Sequence, residues 1–264
     1  MRAAIGAAVV VVAATACGPG GAGPVSLRFG DPETPVPLRV EYTQAIDWGP
    51  AEVTRELHGR YTRGVGEPGT ARLDSLSIAI STPHGRQVLS ARHVLGRTFG
   101  LTARPAGGPP TYGVDVPVVD LGASNGGETS IGFLIDYGFP ALPDRPVAIG
   151  DTWHRETIRR QVEANMVGTA TLGTDYRFAG LESIDGIACA RIEGATRGTI
   201  EGADEGRTYE GTLEGSASWC LDTVSGTLVQ MTSEETTAGE ILDGDARVRI
   251  RQRTDVRIAR AVSP

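Results

Sequence analysis

The stretch "SEETTAGEILDGDARVRIRQRTDVRIARAV", which begins at Ser233, constrains the fold more than any other part of the chain. On a helix its arginines would scatter around the axis. With a period of two, Val248, Ile250, Val256 and Ile258 share one face, and Arg247, Arg249, Arg251, Arg253 and Arg257 share the other. Such a segment is a strand with one face buried and an arginine ladder on its solvated face. Asp243-Gly244 is a two-residue hairpin signal, and centring the turn there pairs Glu240 with Arg247 and Glu234 with Arg253. The same centring sets Met231 opposite Val256 and Val229 opposite Ile258 on the apolar face.

Similar alternation ends at Gly, Pro, Asp or Ser in "LRVEYTQAI", "EVTRELHGRYTRG", "RLDSLSIAIST", "TDYRFAGLESIDG" and "GTLVQMTSE". "GDTWHRETIRRQVEANMVGTATLG" reads as a further strand pair. Helix signals are few. "ETSIGFLIDYGF" carries Ile131, Leu134, Ile135 and Phe139 at helical spacing and is stopped by Pro140; "RQVLSARHVLGRTF" carries Val88, Ala91, Leu95 and Phe99. The expected fold is mainly β: long antiparallel strands in a curved sheet or half-barrel with one or two short helices. The Pro-rich "FPALPDRPVAIGDTW" divides it into β-rich halves at 27–140 and 141–262.

Three cysteines bear on compartment. Around the turn-rich "GADEG", the segments "IACARIEGATRGTIEG" and "RTYEGTLEGSASWCLDT" read as two strands of one hairpin, which brings Cys189 opposite or nearly opposite Cys220. A structural disulfide is expected there. A reactive thiol pair is the competing reading, but it lacks a C-x-x-C spacing or a basic neighbour that would lower a thiol pKa.

The third, Cys17, follows a short basic start, an apolar run from Ala3 to Ala14, and Ala14-Thr15-Ala16. That run is too short to span a bilayer comfortably. The junction resembles the lipobox of bacterial lipoproteins, in which the cysteine is acylated and becomes the first residue after cleavage. An ordinary A-x-A cleavage site is the alternative. The resemblance implies a signal peptide at 1–16, a lipid anchor with a flexible "GPGGAGP" tether at 17–26, and a place in the bacterial cell envelope. With Gly18 after the cysteine, it implies the outer membrane where there are two.

The order of lipobox, long strands, short helix, "LPDRPVAIGDTW" and "GSASWCLDTVSGTL" is similar to uncharacterised bacterial β-rich lipoproteins. Through them it resembles, in architecture, LolA/LolB-type carriers and mycobacterial lipid-binding lipoproteins. That resemblance implies a curved sheet enclosing an apolar ligand, a lipid or lipoprotein acyl chain. In this chain Leu134, Ile135, Phe139, Val229, Met231, Val256 and Ile258 would line the cavity. A non-catalytic envelope scaffold or assembly subunit is the other reading. Arg247, Arg249, Arg251 and Arg253 would then offer guanidinium forks to an anionic partner, unless cross-strand glutamates merely neutralise them.

Other chemistries have little footing. The formal charge of −7, which becomes −8 once Arg2 is removed, argues against nucleic acid as a partner. There is no lysine, so no G-x-x-x-x-G-K loop exists; His58, His84, His93 and His154 are scattered without metal-ligand spacing; and no cofactor is expected. A serine hydrolase has one foothold. Gly122-Ala123-Ser124-Asn125-Gly126 fits G-x-S-x-G, with His154 as base and Asp136, Asp144 or Asp151 as acid, but the parallel β-α-β context of a nucleophile elbow is lacking.

Overall fold

A computed structural model describes residues 23–49, 51–120, 128–163, 166–204 and 206–261. The strands of the first half are β1 (Val36–Asp47), β2 (Glu52–Arg63), β3 (Thr70–Thr82), β4 (Gly85–Leu89), β5 (Thr98–Thr102), β6 (Thr111–Tyr112), β7 (Val118–Asp120) and β8 (Glu128–Ser130). After the short helix α1 (Gly132–Asp136) come β9 (Thr152–Glu163), β10 (Met166–Ile184), β11 (Ile187–Asp204), β12 (Arg207–Asp222), β13 (Leu228–Asp243) and β14 (Ala246–Arg260). The last six form an antiparallel meander, and β1 to β3 form another, extended by β5 and β6 with β4 paired to β3. Pairing of β1 with β14 joins both into one curved, unclosed sheet of twelve strands, with β7 and β8 apart as a small hairpin. The two expected β-rich halves therefore share one sheet.

Local turn chemistry sets the hairpins. Asp185 and Gly186 both take positive φ, 49° and 80°, as the tight turn between Ile184 and Ile187 requires. At the β13–β14 turn only Gly244 does so, with φ 57°, and the connection is Gly244-Asp245 between Asp243 and Ala246. The expected register is corrected by two residues: Glu240 faces Arg249, Met231 faces Ile258, and Thr236 faces Arg253. A two-residue shift preserves the side-chain period, so the faces stay as the alternation implies. In the β11–β12 hairpin Asp204 pairs with Arg207, which makes Cys189 and Cys220 diagonal neighbours, bridged with their Cα atoms 5.4 Å apart.

Of the two helical expectations, "ETSIGFLIDYGF" holds α1, while "RQVLSARHVLGRTF" forms β4, a single 3₁₀ turn at Arg92–Val94 and β5. The interior takes Ala91, Val94 and Phe99, and leaves Val88 67% exposed, so the helical spacing has no helical face to serve.

From β6 at one edge of the sheet the chain crosses to β9 at the other, and within this crossing segment Ile131, Leu134, Ile135, Phe139, Leu142 and Val147 pack into the core on the inner face. Trp219 Nε1 donates to the Tyr137 carbonyl at 2.7 Å and Trp153 Nε1 to that of Ala141 at 3.0 Å, fastening the crossing segment to β12 and β9. Phe133 meets Tyr42 of β1 edge to face at 5.5 Å, and Phe139 packs on Phe29 at 4.9 Å. Beneath lies the main core, in which Phe178, Ile192, Met231 and Ile258 are at most 1% exposed. Each such side chain contributes about 1.5–3 kcal/mol of burial.

Candidate functional site

Leu134, Ile135 and Phe139 of the crossing segment, with Met231, Val256 and Ile258 of the sheet, fall in one buried cluster, none more than 6% exposed. These six fill the interior they were expected to line. Val229 does not join them. Gln230 pairs with Cys220 and Leu228 with Leu221, so Val229 is the extra residue of a β-bulge. The bulge reverses the period: Leu228 enters the core, and Val229 turns to the outer face against Cys189, Cys220, Ile184 and Ile187. This corrects the placement of Val229 beside Met231. Nothing in the sequence of β13 marks the bulge, because the partner strand creates it.

The register reveals a feature that alternation alone misses. Arg55, Gln44, Thr254, Glu235, Gly215, Thr196 and Thr174 are successive cross-strand partners from β2 to β10. They form a polar row across the inner face. It separates the main core from a second apolar cluster that includes Ile46, Leu172, Tyr209 and Ile250. Arg55 donates to Gln44 at 3.1 Å, the Thr174 and Thr196 hydroxyls are 2.9 Å apart, and Tyr137 donates to Glu235 at 3.1 Å. These bonds offset part of the cost of burying polar groups, while Arg55 Nε has no partner among the described residues. Gly239 and Gly211 leave room for the Tyr209 ring, whose atoms would lie within 2.8 Å of a Cβ on either.

A second polar group lies under the crossing segment. Arg63 is 1% exposed, pairs with Asp31 at 2.8 Å and lies 5.2 Å from the Phe139 ring centroid; its Nε and Nη1 have no partner among the described residues. Nearby, Tyr112 donates to Asp136 at 2.7 Å. Burial pushes the phenols of Tyr61 and Tyr112 well above the ordinary range. Arg63 opposes the shift at both and Asp136 adds to it.

The outer face is open and polar. Arg247 and Arg249 both reach Glu240, at 3.6 and 3.2 Å, and Arg253 reaches Asp255 at 3.1 Å and Glu234 at 3.6 Å. Arg251, opposite Asp47 and Ala238, has no ion pair among the described residues. Three of the five ladder arginines are thus matched by carboxylates, at 62–89% exposure. Such surface pairs are worth little each. Two depressions mark this face. One, of about 480 Å³, is lined by charged and small polar residues including Arg177, Arg191, Glu193, Ser216 and Glu234. The other, of about 590 Å³, brings Arg39, Arg60 and Arg257 together with Ile184, Ile187 and Val229.

Ser124 and Cys17 lie outside the described residues. On either side of the G-x-S-x-G segment, Val118–Asp120 pairs antiparallel with Glu128–Ser130. His154 is bonded to Asp175 at 2.8 Å on the exposed edge strand β9. The three candidate acids have other partners: Asp144 pairs with Arg155, Asp151 with Arg145, and Asp136 accepts from Tyr112. One potential metal-ligand group occurs among the described residues, Glu182 with Cys189 and Cys220. The disulfide withholds both thiolates from such use.

No family model matches the chain, and no curated protein matches it either.

Proposed function

We propose that this chain is a lipid-anchored, non-enzymatic protein of the bacterial cell envelope that presents the outer face of its sheet to a ligand or partner. The observation that carries this reading is the unequal use of the two faces. The inner aliphatics are covered by Ile131, Leu134, Ile135, Phe139, Leu142 and Val147 of the same chain, whereas the outer face holds the arginine ladder and both depressions. An acyl chain carried inside the sheet would have to displace the segment that Trp153 and Trp219 hold down, so the apolar-carrier reading draws no support from this packing. Acylated Cys17 and the tether after it would hold the sheet at a membrane surface.

The test is in-cell photo-crosslinking with benzoylphenylalanine placed at Thr232 or Arg251 on the outer face, or at Val114 on the crossing segment. Adducts of defined mass from the two outer positions, and none from Val114, are expected. Adducts only from Val114, or from no position, would overturn the reading.

A further inference from the structure

We infer that the depression between the β10–β11 turn and the ends of β1, β2 and β14 binds an anionic amphiphile, with its phosphate or carboxylate head on Arg60 and Arg257 and its apolar stem on Ile184, Ile187 and Val229. The assignment rests on reading the outer face as the binding face, and it names the ligand chemistry of one site there.

Two bulges build the apolar wall. In β10, Phe178 pairs with Ile192 and Gly180 with Arg191, so Ala179 is the extra residue and every later position of β10 changes face. Ile184 thereby points outward, where it meets Ile187 and the equally re-aimed Val229 over the disulfide. Without the bulges Ile184 and Val229 would face the interior; Ile187 faces outward by the regular period of β11. An otherwise charged surface has acquired a small apolar wall by two separate departures from the regular period.

Opposite that wall stand the arginines. Arg39 and Arg60 are direct cross-strand partners, and Arg257 faces Glu41. The lining carries four arginines, the fourth being Arg260, against Glu41 and Asp185. Two of the four are already engaged: Arg39 with Glu41 at 2.6 Å and Arg260 with Asp222 at 3.0 Å. Arg60 and Arg257 are exposed and have no ion pair among the described residues. Arg60 stands directly opposite another like charge, Arg39, and Arg257 lines the same depression from the far side of β1, so an anion lodged over β1 is within reach of both free guanidinium groups. A volume of about 590 Å³ is in the range of small-molecule sites.

The location fits a ligand drawn from a membrane. Val25 bridges to Val147, and Gly150 just beyond donates to the Phe178 carbonyl at 2.8 Å, so the segment leading back to Cys17 leaves the body near the Phe178–Gly180 bulge, on the stretch of β10 that leads to Ile184 in the depression. The residues from Cys17 to Val25 reach at most about 29 Å when fully extended. An anchored cysteine therefore keeps this end close to the headgroups.

The experiment uses the full chain with Cys17→Ser, titrated calorimetrically with decyl phosphate below its micelle concentration. Hexyl and octyl phosphate, inorganic phosphate and decyl maltoside are titrated alongside. Saturable 1:1 binding is expected, gaining about tenfold for each two carbons added, since each buried methylene contributes about 0.8 kcal/mol. R60Q/R257Q, which alters only exposed side chains, should lose tenfold or more for the phosphates, with unchanged circular dichroism. Equal affinity in that variant, no gain with chain length, or decyl maltoside binding as tightly as decyl phosphate would overturn the inference. Vesicles of phosphatidylglycerol and of phosphatidylcholine separate the two sources. Retention on the former alone identifies a membrane lipid, and retention on neither, with decyl phosphate bound, identifies a free amphiphile. Failure of this titration leaves the crosslinking result untouched, so the two readings fail separately.

Discussion

Replacing Arg63 by methionine should destabilise the fold by about 3 kcal/mol, most of it through Asp31. Arg63 Nη2 reaches Asp31 Oδ1 at 2.8 Å and the Gly30 carbonyl at 3.3 Å. Without the guanidinium, the Asp31 carboxylate keeps the Ala103 N–H at 3.2 Å but loses its one ion pair among the described residues, at 19% exposure. Removing one partner of a buried pair costs about 3–5 kcal/mol, and the partial exposure of Asp31 sets the low end. For a chain of this size the loss corresponds to about 6–12 °C in Tm. Methionine refills most of the volume under Phe139, and the Nε and Nη1 left without partners mean that part of the guanidinium desolvation goes uncompensated in the native protein. The double variant R63M/D31N removes the stranded charge and should therefore recover most of the loss, to within about 1 kcal/mol of wild type. Urea unfolding followed by circular dichroism measures both variants. A single variant within 1 kcal/mol of wild type, or a double variant no better than the single, refutes the reasoning.

Three further outcomes are expected. Reducing the Cys189–Cys220 bridge, which closes a separation of 31 residues, should lower stability by about 3–4 kcal/mol on the chain-entropy estimate, read as the shift in urea midpoint with and without reductant. Tyr61 and Tyr112 have phenols raised above the unfolded value near 10, so their contribution is complete below that pH and is lost as pH rises beyond it. Absorbance at 295 nm, compared between wild type and Y61F and Y112F, should show that the amplitude each variant loses belongs to the phase that accompanies unfolding; loss from a phase that precedes unfolding would refute this. Gly226→Ala should destabilise by more than 1 kcal/mol, because φ is +66° and the new Cβ would lie 2.4 Å from the Arg28 carbonyl oxygen; a thermal midpoint within 1 °C of wild type would contradict that.

What local chemistry governs was legible in the chain. The faces of β14 follow from its period of two, and α1 from Leu134, Ile135 and the stop at Pro140. The disulfide follows from two strands meeting about one turn. Register was less legible: Asp243-Gly244 promises one turn, yet Gly244 alone adopts positive φ and the loop moves by one position. Bulges at Ala179 and Val229 were not legible at all, because each depends on which residue of a neighbouring strand takes the hydrogen bond. The polar row and the outer depression share that limit. Gln44, Thr254 and Glu235 are unremarkable until the register aligns them, and Arg60 lies far along the chain from Val229 and Arg257.

The seam between β1 and β14 has a consequence for the order of events in folding. Leu38 pairs with Arg260 and Asp47 with Arg251, so the earliest strand finds its second neighbour only among the latest. Each meander can zip from hairpin to hairpin through nearby residues, but the join between them requires closing a loop that contains nearly the whole sheet. That closure is entropically slow and comes late. Until β14 is present, β1 and β13 each expose an unpaired backbone edge open to pairing with another chain. A chain that folds as it is made presents β1 first and must hold that edge vacant until its last strand arrives, which makes the completion of the seam the step at which this sheet is most exposed to misassembly.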